Sequence, residues 1–125
     1  MKPTALLLVG AGGFLGAIAR YTLGLVVAKR FGTDWPYGTF IINVTGCFAI
    51  GFFVTLTSER FPVAEGWRLL FPVGFVGAYT TFSTYELETA KLMQAGAVGR
   101  ALLYVLASTV VGFLAVIAAI AIARK

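Results

Sequence analysis

The stretch Gly74-Phe75-Val76-Gly77-Ala78-Tyr79-Thr80-Thr81-Phe82-Ser83-Thr84-Tyr85 decides how this chain is read. Glycines at 74 and 77 precede four hydroxyl side chains in five positions, Thr80, Thr81, Ser83 and Thr84. All of this sits at the centre of a 27-residue, mostly apolar segment, residues 67–93. Glycine weakens a helix, and Ser or Thr hydroxyls satisfy backbone groups that a helix has released. A helix broken here would expose carbonyls and amides midway through a hydrocarbon layer. Non-helical backbone is tolerated at that depth only where it is buried in protein or lines a polar cavity. Ion sites in transporters use this device, with half-helix ends and unwound carbonyls holding charge. The alternative is a continuous helix that uses its small residues for packing. The expectation is a break. Glu86 and Glu88 follow directly and are also deep, so at least one should face water or a cation.

The rest of the chain fits such a setting. It has 125 residues, 59% of them apolar, with ten Lys or Arg and five Asp or Glu. Its mean hydropathy of +0.91 lies far above that of a water-soluble domain. A soluble enzyme, a disordered tail and a disulfide scaffold are excluded; a small polytopic membrane protein remains. The net charge of +5 is too dispersed to form a nucleic-acid patch and reads as juxtamembrane anchoring. The lone Cys47 allows no intrachain disulfide, and the absence of histidine removes the commonest metal ligand and general base.

A spanning helix needs about 20 mostly apolar residues. Four segments qualify, at about residues 4–28, 37–57, 67–93 and 97–123, and they leave no room for a soluble domain, so residues 1–125 are expected to form one four-helix transmembrane domain. Trp35 and Tyr37 fit an aromatic belt at a bilayer surface. Lys2 before an apolar run and the small residues Ala17-Ile18-Ala19 resemble a cleavable signal. The apolar stretch continues to Ala28, however, and the first segment is expected to be retained. With four spans, Lys2, Arg60, Arg68, Arg124 and Lys125 share one side. Lys29, Arg30, Lys91 and Arg100 share the other, with Arg20 if it reaches that surface. Five cations against four or five give no orientation bias. Such a chain inserts both ways up, which permits an antiparallel dimer of identical subunits.

Several side chains do not belong in lipid. Gly12 and Gly16 make a G-x-x-x-G pair that lets helices approach closely, ordinarily for packing. Arg20 lies about 12 Å of helical rise from Ala28. It reads either as a snorkelling anchor or as a vestibule cation that attracts anions. On the second segment Thr39, Asn43, Gly46 and Cys47 share a face, and Asn43 is either interhelical glue or a pore-lining donor. On the fourth, Tyr104, Ser108 and Gly112 recur every four residues. They form either a partly wet track or hydroxyls bonded to their own helix.

These motifs together resemble the Fluc (CrcB-type) family of fluoride channels, over essentially the whole chain. The resemblance rests on residues 12–17 (Gly-Gly-Phe-Leu-Gly-Ala) with Arg20 and Tyr21, on residues 38–46 around Asn43, and on residues 74–85 with their Thr-Thr-Phe-Ser-Thr core. It implies a multi-pass protein of the cell inner membrane whose partners are a second copy of itself, fluoride and membrane lipid, with no nucleic acid. It implies an antiparallel, dual-topology homodimer with two pores that let fluoride out of the cytoplasm passively. Carried over by position, carbonyls of Gly77 and Thr80 from both subunits would hold a structural sodium ion at the dimer axis. Phe82 matches the first ring of the family's phenylalanine box, whereas Tyr85 stands where the second phenylalanine is usual. Asn43 matches the pore-lining asparagine, Tyr104 and Ser108 the polar track, and Arg20 the vestibule arginine. Fluoride is small and strongly hydrated, so Asn43, Ser108, Thr39 and the ring edges of Phe82 and Tyr85 would have to replace its water.

No residue set here supports bond-making chemistry, and the chain is not read as an enzyme. The rival from another class is a small proton-coupled multidrug exporter, also short, four-helical and of dual topology. That mechanism needs a carboxylate in the first span, where this chain has Arg20 and no acid. A non-transporting membrane scaffold would have no use for a broken third span.

Overall fold

The computed structural model describes residues 2–125, and the described residues form helices joined by short turns. Helix α1 covers Pro3–Phe31. Pro3 opens it, where an N–H would lack a partner anyway. Gly32 closes it at φ 81°, a conformation costly for side chains with a Cβ, and returns its N–H to the Ala28 carbonyl. Helix α2 is Tyr37–Glu59. After residues 60–64 come a short α3 (Glu65–Arg68), a π-helix π1 (Leu69–Val76) containing Pro72, and a single turn α4 (Gly77–Tyr79). Helix α5 covers Phe82–Gln94 and α6 covers Val98–Ala123.

Helices α1, α2 and α6 are each long and apolar enough to cross a membrane. The third expected segment is different. It begins at Glu65 and ends at Gln94, but no continuous helix runs through it. The path bends at Thr80 and Thr81, both extended, with ψ of 158° and 115°. The expected break is therefore present, at the centre of its segment. Three of the four expected segments are uninterrupted helices, and the third is a bent pair of half-helices, as its glycines and hydroxyls led one to expect, because the backbone at Thr80–Thr81 finds partners outside its own helix. The first helix also runs to Phe31, beyond the expected residue 28, because Lys29 and Arg30 in its last turn complement the helix dipole.

Contacts at the segment ends fix the directions. Arg124, just past α6, forms a two-pronged ion pair with Glu59 at the end of α2, at 2.9 and 3.0 Å. At the other end Arg100 of α6 donates to the Asp34 carbonyl just before α2. Helices α2 and α6 thus run parallel. Arg68 donates to the Thr57 carbonyl and Thr39 to Glu88, so the bent segment runs antiparallel to α2. With α1 turned back by residues 32–36, the four segments alternate in direction.

Small residues set the packing. A Cβ at Gly12 or Gly16 would collide with the carbonyl oxygens of Leu70 or Phe75, so α1 lies backbone against backbone on π1. Gly74 answers from the other side, close to Gly12 Cα and the Val9 carbonyl. Between α2 and α6 the same role falls to Gly51, against Val116 and Ala119. Tyr104 is the one large side chain with no exposure among the described residues. Most of the apolar mass instead points outward, including Leu7, Phe14, Leu106 and Phe113, as in a protein whose solvent is lipid or a second subunit.

Candidate ion pathway

The bend is held by Asn43 of α2. Its side-chain carbonyl accepts from the Thr81 N–H at 2.8 Å, and its amide donates to the Thr81 carbonyl at 3.0 Å. Asn43 thus imitates a neighbouring peptide group, which satisfies a buried backbone where the helix does not. Gly46, one turn on, leaves room for the Thr80 methyl. Thr81 then caps α5: its hydroxyl accepts from the Thr84 N–H at 3.3 Å and donates to the Thr84 hydroxyl at 2.9 Å. On the other side of the bend the Thr80 N–H still reaches the Val76 carbonyl. The Thr81 N–H, which a continuous helix would give to Gly77, has gone to Asn43 and frees the Gly77 carbonyl.

One face of α5 carries the next polar centre. Both oxygens of Glu88 accept hydroxyl hydrogen bonds, Oε1 from Thr39 at 2.9 Å and Oε2 from Tyr104 at 2.8 Å. The Tyr104 ring is flanked edge-on by Tyr85, at 5.0 Å between centroids, and by Trp35, at 5.2 Å. Phe82 stands 5.8 Å from Tyr85 and is 74% exposed. One turn beyond Tyr104, the Ser108 hydroxyl is buried with no partner among the described residues.

A cleft of about 650 Å³ opens beside this centre, between the second half of α1, residues 32–39 and α5. Arg20, Thr39, Thr81, Thr84, Glu88 and Lys91 contribute its polar lining. Arg20 does not turn away toward the surface; its Nη1 lies 3.4 Å from the Thr80 carbonyl oxygen. Two cations, Arg20 and Lys91, two acids, Asp34 and Glu88, and a row of hydroxyls thus line one cleft in an otherwise apolar molecule.

The profile of the family described as CrcB-like protein, Camphor Resistance (CrcB), matches residues 7–120. The chain belongs to the CrcB family. A protein of Acidobacterium capsulatum named fluoride-specific ion channel FluC is 53% identical over 108 residues, 86% of each chain. One of the same name from Caulobacter sp. (strain K31) is 43% identical over 98% of this chain and 96% of its own. A third, from Synechococcus sp. (strain JA-2-3B'a(2-13)), is 47% identical over 93% and 89%.

In this CrcB chain the residues singled out from sequence fall into two groups. Thr39 and Tyr104 bond Glu88, Tyr85 packs on Tyr104 and Phe82 on Tyr85, and Arg20 joins Thr39 in the cleft. Asn43, Gly77 and Thr80 belong to the bend itself. Ser108 lies beyond Tyr104, away from the residues that line the cleft. Glu88 was legible only as an acid too deep to be idle; nothing in the sequence marks it as the acceptor of two hydroxyls. Trp35 reads from sequence as a belt residue, yet its ring packs on Tyr104. Trp35 lies in the turn just before α2 and Thr39 in the first turn of that helix, so no periodic signal in the sequence links the two.

Proposed function

We propose that this CrcB-family protein is a fluoride-selective channel that lets fluoride leave the cell down its gradient. The observation that carries the reading is the Asn43-held bend at Thr80–Thr81, which opens backbone and hydroxyl groups beside a cleft bearing Arg20 and Lys91. The names of the FluC relatives support the same ion. The four alternating segments cross the cell inner membrane, the bent pair providing the third crossing.

Fluoride gives up water only where donors replace it. Arg20 and Lys91 attract it to the cleft, and screening there is weaker than in open solution. Asn43 has one amide hydrogen left after its bond to Thr81, and the Ser108 hydroxyl has no other partner among the described residues. Thr39 and Tyr104 each own a single hydroxyl proton and already give it to Glu88. Fluoride taking either proton must displace the carboxylate, which keeps its hold brief. The positive ring edges of Phe82 and Tyr85 extend the path between these donors.

The channel works as an antiparallel homodimer with two pores. The 74% exposure of Phe82 and the exposed face of Gly77 in the single chain support a covering second copy, as does the balanced cation count of the two sides. The carbonyls of Gly77 and Thr80 suit a hard monovalent cation such as sodium, since both are neutral oxygen donors at the bend and that of Gly77 has lost its helical partner. A bound sodium ion would supply fixed positive charge at the dimer axis; the residues' part is to present oxygen there. A proton-coupled exporter is not favoured, since α1 contains Arg20 and no acid.

Fluoride efflux from liposomes, followed with an ion-selective electrode, tests the reading. Release of fluoride but not chloride is expected. If neither this chain nor its Tyr85→Phe variant releases fluoride, or if either drives proton-coupled uptake of a lipophilic cation, the proposal falls.

A further inference from the structure

We infer that Trp35 is a positioning residue for the Glu88 carboxylate, acting through Tyr104. The inference rests on the conduction reading for its effect on flux, and on the geometry alone for its effect on Glu88. Tyr104 is fully buried and its hydroxyl meets Glu88 Oε2 at 2.8 Å. A phenol held only by its own hydroxyl swings about two side-chain torsions, so the direction of that bond depends on what confines the ring. Two rings confine it. Tyr85 stands edge-on at 5.0 Å with planes at 62°, and Trp35 stands edge-on at 5.2 Å with planes at 72°.

Trp35 is fixed in turn. Its indole N–H donates to the Arg100 carbonyl at 3.4 Å, and the Arg100 guanidinium returns a bond to the Asp34 carbonyl at 3.3 Å. Arg100 lies one turn before Tyr104 on α6, so these bonds sit beside the ring contact, while aromatic packing holds the ring itself. Phe40 and Tyr37 pack on the indole, at 5.3 and 5.1 Å. The turn that carries Trp35 runs directly into α2, whose first turn bears Thr39, the other donor to Glu88. One short piece of chain therefore governs both hydroxyls on the carboxylate: Thr39 by carrying it, and Tyr104 by bracing its ring.

Four forms of the full chain separate this role from plain packing: Trp35→Met, Trp35→Phe, Tyr104→Phe and the double variant Trp35→Met/Tyr104→Phe. Methionine fills space without a ring face, whereas phenylalanine keeps an aromatic ring and gives up the N–H and the second fused ring. Fluoride efflux is expected to fall about tenfold in Trp35→Met and in Tyr104→Phe, and to stay within about twofold of the parent in Trp35→Phe. Because the tryptophan acts through the tyrosine hydroxyl, the double variant falls no further than Tyr104→Phe alone. Losses that multiply to about a hundredfold in the double variant overturn the proposal, since independent effects add in free energy. An unimpaired Trp35→Met overturns it too.

The second readout needs no flux. With glutamate labelled at the carboxyl carbon, the Glu88 resonance in detergent micelles is expected to move in Trp35→Met in the same direction as in Tyr104→Phe, and to hold in Trp35→Phe. A resonance that moves in Trp35→Phe, or that holds in Trp35→Met, overturns the proposal. Where Trp35→Met does not fold, Trp35→Leu takes its place, and the Trp35→Phe shift decides the matter if neither folds. Should the parent chain pass no fluoride, the conduction reading fails while the resonance still decides the positioning role.

Discussion

Replacing Asn43 by alanine removes both hydrogen bonds to Thr81, of 2.8 and 3.0 Å, and leaves the peptide groups at the bend without a partner. Interhelical hydrogen bonds inside membranes average about 0.6 kcal/mol and reach about 1.7, so the two bonds contribute about 1–3 kcal/mol. Thr81 is only 8% exposed, and a buried backbone group stripped of its partner adds a penalty of about 1–3 kcal/mol. The sum is about 2–6 kcal/mol, large against the stability of a chain of this size. Asn43→Asp is the informative companion. It keeps an acceptor for the Thr81 N–H, loses the donor to the Thr81 carbonyl and sets a carboxylate oxygen against that carbonyl, which adds repulsion. Thermal unfolding in detergent and fluoride efflux from liposomes are measured on all three proteins. Both variants are expected to melt below the parent, Asn43→Ala by at least about 5 °C. Flux in Asn43→Ala falls at least about tenfold, the equivalent of about 1.4 kcal/mol. An Asn43→Ala protein that melts within about 1 °C of the parent would refute the claim that this side chain holds the bend.

Other outcomes follow from the same geometry. Gly16→Val drives a side chain into the Phe75 carbonyl, a backbone atom that cannot swing aside, and is expected to abolish the monodisperse peak in size-exclusion chromatography, whereas Gly10→Ala, with open space at its Cβ, leaves it intact. Thr81→Val removes the cap of α5 and is expected to cost about 1 kcal/mol, read as a lowered midpoint; an unchanged midpoint would remove the cap from the account. Tyr85→Phe deletes a hydroxyl that has no hydrogen bond among the described residues, so stability should hold within about 0.5 kcal/mol while fluoride flux rises; a clear loss of stability would show a missed partner. Arg124 and Glu59 are both exposed, and Arg124 is held above its ordinary range by the Glu59 carboxylate beside it. Arg124→Gln should lower the midpoint slightly at low salt and not at high salt, where a difference that persists would point to something other than charge.

Hydropathy and glycine placement were enough to read the segments and the bend from sequence. The bend was legible because Thr80, Thr81, Ser83 and Thr84 interrupt an apolar run, a local signal that needs no partner to be seen. What holds the bend was not legible. Asn43 lies 38 residues from Thr81, and only the packing of α2 on the bent segment shows that it meets a peptide group. The π-helix escaped notice for a related reason. Apolar periodicity does not separate five-residue from four-residue hydrogen bonding over so short a stretch. Glu88 and Tyr104 are 16 residues apart across a turn, so their pairing also waited on the fold. Arg20 remained divided between two readings until its distance to the Thr80 carbonyl placed it in the cleft.

The polar half-helix α5 bears on how the protein is made. Glu86, Glu88 and Lys91 fall within a few residues of one another, and each opposes partition from the translocon into lipid by up to about 3 kcal/mol. The groups that shelter Glu88 come from Thr39, synthesised earlier, and from Tyr104, synthesised later. At the moment α5 leaves the ribosome, half of its shelter does not yet exist. The bent segment is therefore expected to settle only after the last helix has emerged, out of step with the order of the residues.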